Sequence, residues 1–381
     1  MMKLPGMHSW LLLLLLLLLL AGGAQAVDSP RQPAVEPALT LAGHADGPSL
    51  VVQGVLDPDI MQTLLSAFHR RHPTMTIRYI DVSGRPNRVP DKSLQDFQPD
   101  LVLSSAMPWQ YLHANNGNAM SLGAQTLPTD WPDASRWRNE LVGLTAEPLV
   151  IVYRREYARR FGIPRSHTAL LRQLRQHRDA LQGRVVTYDP ARSDTGFTYL
   201  AEDARQSPQI WSLVAALGEA HTSLTDSTSD MLEGLISGRY LIGYNLIGSY
   251  ASRAARRHSE LKVQRPADYA LVMQRLALIP TGAPHPGNAR LLLQFLTGRK
   301  GQQLIARQTP LGALHPAVAT TGDMHTTAGI TRFIRPGPGL LALVDPLKRR
   351  SLLARWQQAF DADSRTDSGS DPTTSEDSTA P

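Results

Sequence analysis

Between residues 48 and 360 the sequence alternates short apolar runs with stretches of helical periodicity. Apolar runs at 49–53, 76–80 and 99–103 predict three strands, and residues 57–71 predict an amphipathic helix capped by Asp57. A strand that is followed by a helix and another strand forms a parallel unit, because the chain crosses one face of the sheet before it returns. The sequence is therefore predicted to have an α/β fold, in which helices cover mainly parallel strands.

The same alternation resumes in a second series, which begins with the apolar run 149–153. Strands predicted at 269–273 and 276–279 return towards the first unit. We therefore expect two α/β lobes joined by crossing strands: a discontinuous lobe one over 48–148 plus 274–345 and a lobe two over 149–273, followed by a C-terminal helix over 346–360. This topology leaves a cleft between the lobes, and ligands of open α/β sheets bind in such clefts near helix N-termini.

The N-terminal residues predict export. Lys3, ten leucines from Leu11 to Leu20 and the small residues of Ala24-Gln25-Ala26 predict a cleavable signal peptide over residues 1–26. A membrane anchor is the alternative, but the apolar run is shorter than the ~20 residues that span a bilayer. Residues 27–47 are rich in Pro, Ala and Gly, and we expect them to form a flexible lead-in.

The chain contains no cysteine. This excludes disulfides, thiolate catalysis, cysteine-ligated metals and the lipid attachment that needs a cysteine after the signal peptide. An exported chain without a lipid anchor diffuses away unless an outer membrane retains it, so we expect a periplasmic location.

Charge is distributed unevenly along the chain. The net charge is +6, although residues 361–381 hold six acidic side chains and only one arginine, and these residues are expected to form a disordered acidic tail. The remaining chain is basic, which favours anionic partners, but a biased arginine content also explains it. Basic runs interleaved with aromatic residues are missing, so no nucleic-acid partner is expected. The sequence also lacks the nucleophile, zinc-hydrolase and phosphate-loop motifs, so no enzyme activity is expected.

Candidate ligand-binding residues lie where a predicted strand ends and a helix begins. Ser104 and Ser105 follow the third strand, and their hydroxyls and neighbouring N–H groups suit an oxyanion as well as they suit an ordinary N-cap. A second segment offers more polar groups than a cap needs and favours a phosphate or carboxylate, through Arg192, Ser193, Thr195 and Gly196.

Two further segments and one acid complete the candidates. Ser227 belongs to a hydroxyl-rich helix start, for which capping and binding are equally good explanations. The segment 244–250 supplies aromatic, amide and hydroxyl groups that resemble a small-molecule pocket, through Tyr244, Asn245, Ser249 and Tyr250. Glu147 precedes the crossing strand, where it either binds a ligand hydroxyl or pairs with an arginine.

Five segments in this order, at 99–107, 147–153, 187–190, 243–250 and 283–286, resemble the bacterial extracellular solute-binding protein family 1. The closest branch resembles the ferric-iron-binding type, which also contains sugar-phosphate binders and phosphoglycerate transport regulatory proteins. The resemblance implies a type II periplasmic binding fold, hinge closure and delivery to an inner-membrane ABC permease. It also implies pocket residues at Ser104, Ser105, Ser193, Thr195, Gly196, Ser227, Asn245 and Tyr250. No cofactor is expected.

Two departures from the family pattern bear on the ligand. Iron-binding members use adjacent tyrosines, whereas Tyr244 and Tyr250 are separated here. Ferric iron prefers several anionic oxygens together, so we rank it below an organic anion and expect no metal. A loop-like segment with Arg85 and Arg88 stands where relatives place a helix, and these arginines either contact the ligand or are solvated.

The expected function is that of a monomeric periplasmic protein that captures a small anionic solute, such as a phosphorylated sugar or an organic acid. It would deliver this solute to an ABC permease. Two alternatives stay open: a ligand-sensing accessory protein of a two-component sensor kinase, and a ferric-iron-binding protein.

Overall fold

The strands of this chain are divided between two sheets. The computed structural model describes residues 36–82, 98–318 and 330–362, and from Pro37 onward these belong to one compact unit. The predicted signal peptide, Arg85, Arg88 and residues 363–381 of the predicted acidic tail lie outside the described residues.

The first part of the chain builds most of one sheet. Its elements are β1 (Leu39–Leu41), β2 (Ser49–Gly54), α1 (Pro58–His69), β3 (Thr76–Asp81), β4 (Leu101–Ser104), α2 (Met107–Asn115), β5 (Arg136–Trp137) and β6 (Leu141–Gly143). Strand β2 pairs in parallel with both β3 and β4. Helix α1 begins as predicted, because the Asp57 carboxylate accepts the N–H of Asp59 at 3.0 Å.

The middle of the chain builds the second sheet. Its strands are β7 (Glu147–Arg154), β8 (Val185–Tyr188), β9 (Ser223–Thr225), β10 (Ile242–Ile247), β11 (Leu261–Gln264) and β12 (Tyr269–Met273). Its helices are α3 (Arg155–Phe161), α4 (His167–Gln176), α5 (Arg178–Leu181), α6 (Asp194–Gln206), α7 (Ile210–Glu219), α8 (Thr228–Ile236) and α9 (Gly248–Arg257). All six residues of β10 are buried, as expected for a central strand that is covered on both faces.

The last part of the chain contributes to both sheets. Its elements are β13 (Leu276–Leu278), α10 (Pro286–Thr297), α11 (Arg299–Gln308), β14 (Ile330–Phe333), α12 (Leu341–Val344) and α13 (Pro346–Phe360). Within the described ranges, the first sheet has the order β1-β3-β2-β4-β13-β6-β5, and the second has the order β14-β12-β7-β10-β8-β9 with β11 paired to β7. We call the first sheet with its helices lobe one and the second sheet with its helices lobe two.

The chain crosses between the lobes at two short segments. Strands β6 and β13 lie in lobe one, whereas β7 and β12 lie in lobe two. The crossings are therefore residues 144–146 and 274–275. None of the helices in the described ranges is long and apolar enough to cross a membrane.

Three sequence expectations need correction. Residues 39–41 are not part of a flexible lead-in, because β1 pairs antiparallel with β3 while Leu39 and Leu41 pack against the apolar core of lobe one. Residues 330–333 do not belong to lobe one, because β14 pairs in parallel with β12 in the second sheet. The expected extent of lobe one is also too long at residues 147–148, because Glu147 and Pro148 pair with Met273 and Val272 of β12 in the second sheet.

Gly218→Ala tests how closely the C-terminal helix packs on lobe two. A Cβ at Gly218 in α7 would lie 1.8 Å from the carbonyl oxygen of Phe360 in α13, so the helices must separate to admit a methyl group. We expect the free energy of unfolding, measured by urea denaturation, to fall by about 1–3 kcal/mol. Gly287→Ala is the matched control, since nothing lies within 4 Å of its added Cβ. Equal stability of both variants would contradict this packing.

Candidate functional site

A buried ion pair lies at the crossing between the lobes. Arg275 Nε donates to Glu147 Oε1 at 2.8 Å, and Arg275 Nη2 donates to Glu147 Oε2 at 3.5 Å. The two side chains are only 1% and 0% exposed. The hydroxyls of Thr145 and Ser249 donate to the same carboxylate. Buried charges are stable only when they are paired and hydrogen bonded, so Glu147 is held by three groups in one position.

Arg275 keeps donor capacity beyond this ion pair. A guanidinium group has five N–H donors, and Arg275 uses a third one on the carbonyl oxygen of Val55 at 3.4 Å. One N–H on Nη1 and one on Nη2 therefore find no acceptor in the part of the chain that the structure describes. Burial acts to lower the pKa of Arg275, but attraction by Glu147 outweighs it and the pKa stands above its ordinary value.

Helix N-termini of the two lobes meet beside this crossing. The indole N–H of Trp109, in the first turn of α2, donates to Asp194 Oδ2 at 3.0 Å, and Asp194 is the first residue of α6. Arg253 in α9 donates to Asp57 Oδ2 at 2.8 Å, and Asp57 is the N-cap of α1. Each of these contacts joins lobe one to lobe two, so the cleft in this structure is closed at both positions.

The candidate serines of lobe one lie at the start of α2. Ser104 Oγ accepts the N–H of Ala106 at 3.1 Å. Ser105 is half-buried, and its carbonyl oxygen accepts the N–H of Met107 at 2.8 Å. The N-cap residue itself, Ala106, provides no side-chain acceptor.

The candidates of the second segment separate into two groups. Ser193 is the N-cap of α6, with Oγ accepting the N–H of Gly196 at 3.1 Å, and Thr195 is half-buried beside it. Gly196 permits close packing, because a Cβ there would lie 2.5 Å from the Cβ of Tyr188. Arg192 behaves differently: it is 64% exposed and pairs with Asp226 at 2.8 Å. Arg192 therefore forms its ion pair on the protein surface.

The candidates of the segment 244–250 also separate into two groups. Tyr244 Oη and Asn245 Nδ2 donate to Asp203 Oδ2 at 2.8 and 2.7 Å, and Tyr269 donates to Oδ1 at 3.0 Å. Burial raises the pKa of Asp203, while His167 and these donors oppose the rise. The side chains of Tyr244 and Asn245 are thus hydrogen bonded to Asp203 inside lobe two. Their neighbours Ser249 and Tyr250 lie instead at the crossing.

Tyr250 and Ser249 complete the group around the ion pair. The guanidinium carbon of Arg275 lies 5.9 Å from the ring centroid of Tyr250, a half-buried side chain. Helix α9 begins at Gly248 and its N-cap provides no side-chain acceptor. The structure therefore brings Glu147, Ser249 and Tyr250 together. Ser227 lies apart as the N-cap of α8, where its Oγ accepts the N–H of Asp230 at 3.1 Å.

Sequence reasoning missed Arg275, Trp109, Asp194 and Tyr199. Gln274 and Arg275 interrupt two apolar runs, a pattern that also describes an ordinary turn. Trp109 and Asp194 meet across 85 positions of sequence. Tyr199 lies in the middle of a helix, is 2% exposed and has a hydroxyl without a partner among the described residues. The polar pair between two apolar runs was the one usable signal.

Comparison with known proteins identifies the family. The family model for bacterial extracellular solute-binding proteins matches residues 42–331. The substrate-binding protein of an ABC transporter from Agrobacterium tumefaciens is 31% identical, with a TM-score of 0.72, and the match covers 85% of this chain and all of that chain. A search of curated protein sequences found no match.

Two more distant structures share the fold. The periplasmic binding protein AfuA from Actinobacillus pleuropneumoniae, solved with fructose 6-phosphate, is 15% identical with a TM-score of 0.64, over 83% of this chain and 99% of that chain. Iron-bound HitA from Pseudomonas aeruginosa is 14% identical with a TM-score of 0.61, over 82% of this chain and 99% of that chain. The expected type II periplasmic binding fold is thereby confirmed. The chain belongs to the bacterial extracellular solute-binding protein family.

Proposed function

We propose that this protein captures a small anionic solute between its two lobes in the periplasm and delivers it to an ABC permease of the inner membrane. The observation that carries the proposal is the hydrogen bond between Trp109 and Asp194, which joins the first turns of α2 and α6 across the cleft. A solute between the lobes meets helix N-termini on both sides.

Helix N-termini favour an anion for a physical reason. The first N–H groups of a helix have no partner within the helix, and the aligned peptide dipoles give this end a partial positive charge. Helices α2 and α9 both start at the crossing without a side-chain cap from the N-cap residue. An oxyanion supplies the acceptors that these helices lack.

Closure couples binding to recognition by the permease. The contacts Trp109–Asp194 and Arg253–Asp57 form only when the lobes approach each other. A solute that contacts both lobes binds the closed state more tightly and shifts the population towards it. The closed form is then the one that the permease recognises.

A phosphorylated sugar or an organic acid suits this site better than ferric iron. Ferric iron requires several anionic oxygens, and Tyr244 already donates its hydroxyl to Asp203. The sugar phosphate in AfuA and the iron in HitA are ligands of those proteins. Their sequence identity to this chain is low, so the comparison transfers only the fold. A sugar phosphate and ferric iron therefore serve here only as probes of the ligand class.

Export by the predicted signal peptide over residues 1–26, with no lipid anchor, and a monomeric state are part of the same proposal. Reporting to a sensor kinase is the alternative use of the same closure. If the protein delivers the bound solute, loss of its ABC permease abolishes uptake of that solute. This result would distinguish delivery from sensing.

Thermal unfolding with a panel of solutes tests the ligand class. We expect fructose 6-phosphate, 3-phosphoglycerate or citrate to raise the Tm of the mature protein, because a ligand that binds only the folded state stabilises it. At about 100 times its Kd, an anion adds roughly 2.7 kcal/mol. Uncharged fructose is the matched control. A shift caused by fructose or ferric iron alone, or by no solute of the panel, would contradict the proposal.

Trp109→Phe tests closure. The variant loses the cross-lobe hydrogen bond to Asp194, so the closed state is destabilised by about 1 kcal/mol and Kd for the anion found above rises roughly fivefold in calorimetric titration.

Trp211→Phe is the control for the loss of an indole, because Trp211 contacts Arg355 of α13 within lobe two and is not at the cleft. We expect its Kd to equal that of the wild type. Equal affinity of both variants would show that the Trp109–Asp194 contact does not accompany binding.

A further inference from the structure

Tyr199 has a buried hydroxyl that lacks a partner in the described part of the chain. The side chain is only 2% exposed, so bulk water does not satisfy it. Almost all buried polar groups in proteins are hydrogen bonded, so a buried hydroxyl without a partner calls for an explanation. The neighbouring Tyr188, whose ring centroid lies 5.8 Å away, differs because its hydroxyl lies 2.5 Å from Thr228 Oγ1.

Packed side chains connect Tyr199 to the crossing. The ring of Tyr199 packs against Tyr188, whose hydroxyl contacts Thr228, and Thr228 Oγ1 accepts the N–H of Ile247, the N-cap residue of α9, at 3.4 Å. Burial raises the pKa of Tyr199 well above the ordinary value, the carboxylate of Glu147 adds to the rise, and the guanidinium of Arg275 opposes it. The hydroxyl therefore keeps its proton in the physiological range and is available as a donor. The guanidinium of Arg275 at the crossing also offers donors only.

We propose that Tyr199 and Arg275 together bind the acid group of the solute, a carboxylate or a phosphoryl group. This assignment rests on the proposed function. Arg275 presents one unused N–H on each terminal nitrogen, and two such N–H groups match the oxygens of an acid group. The Tyr199 hydroxyl supplies a third donor. A sugar hydroxyl brings its own proton and accepts fewer hydrogen bonds, so it leaves one of these donors unsatisfied.

Glu147 reduces the net positive charge of this site. Its carboxylate already occupies the Nε and Nη2 edge of Arg275 and neutralises the positive charge. The site therefore selects an acid group through directed N–H and O–H donors more than through net positive charge. Tyr250, whose ring faces the same guanidinium, is left for the uncharged body of the solute.

Tyr199→Phe is the direct test, because it removes the unpartnered hydroxyl and nothing else. We expect the affinity of the mature protein for fructose 6-phosphate, 3-phosphoglycerate or citrate, whichever raises the Tm of the wild type, to fall about tenfold or more in calorimetric titration. The Tm without solute should stay unchanged or rise slightly, since no hydrogen bond of the protein is lost.

Tyr157→Phe is the matched control. Its hydroxyl donates to Gln173 at 2.9 Å within lobe two, so the variant should have a lower Tm without solute and an unchanged affinity. Arg275→Lys provides a second measurement: it keeps the charge opposite Glu147 but loses the paired terminal nitrogens, and we expect about a tenfold loss of affinity.

The outcomes separate this assignment from the proposed function. If an anion binds the wild type and binds Tyr199→Phe equally well, a buried water or another group satisfies Tyr199, and the assignment is overturned while the proposed function stands. If uncharged fructose binds the wild type, and Tyr199→Phe lowers its affinity as much as it lowers that of the anions, Tyr199 binds a sugar hydroxyl and the assignment is also wrong. If no anion binds the wild type, the proposed function fails, and the assignment fails with it.

Discussion

The ion pair between Glu147 and Arg275 is the interaction on which the rest of this structure depends. It ties the first residue of β7 to the segment between β12 and β13, the two places where the chain changes lobes. Ser249 at the start of α9 and Thr145 in the other crossing donate to the same carboxylate. Removing one partner would leave a buried charge unpaired, at a cost of about 3–5 kcal/mol. A buried ion pair adds little net stability. We expect this one to fix the positions of Thr145 and Ser249, whose hydroxyls donate to its carboxylate.

A second buried carboxylate supports the wall of the cleft from within lobe two. Asp203 accepts hydrogen bonds from Tyr244, Asn245 and Tyr269, and so connects α6 to β10 and β12. Asn245 has a φ of 63°, and the pairing of β10 with β7 shifts register between Gly243 and Leu246. A bulge of this kind redirects the strand, and here it leads directly into α9 with Ser249 and Tyr250. Tyr244 and Asn245 therefore shape the site without facing the crossing.

Local signals in the sequence were enough for most elements of the fold. Helix α1 was predicted from its Asp57 cap and apolar face, and Ser193 and Ser227 were identified at the starts of two helices where they act as N-caps. Helix α9 was missed because its second half is rich in arginine and poor in apolar residues. Strand β14 was missed because it is exposed and is defined only by pairing with β12.

The site itself was predictable only in part. Glu147 was recognised as a residue that binds a ligand or pairs with an arginine, but its partner lies 128 positions away. Periodicity and capping report neighbours within a few residues, whereas the crossing of two lobes creates contacts that depend on the whole topology. The unpartnered hydroxyl of Tyr199 is likewise a property of packing, because a tyrosine within a helix carries no sign of what surrounds it.

We propose that the two lobes enclose an anion at the starts of their helices, beside Arg275. The most direct measurement is a crystal structure of the mature protein with the anion that binds it in solution. We expect the acid group to lie within hydrogen-bond distance of Arg275 and the start of α2 or α9, with Trp109 in contact with Asp194. An anion bound outside the space between the lobes, or lobes held apart in the complex, would contradict it.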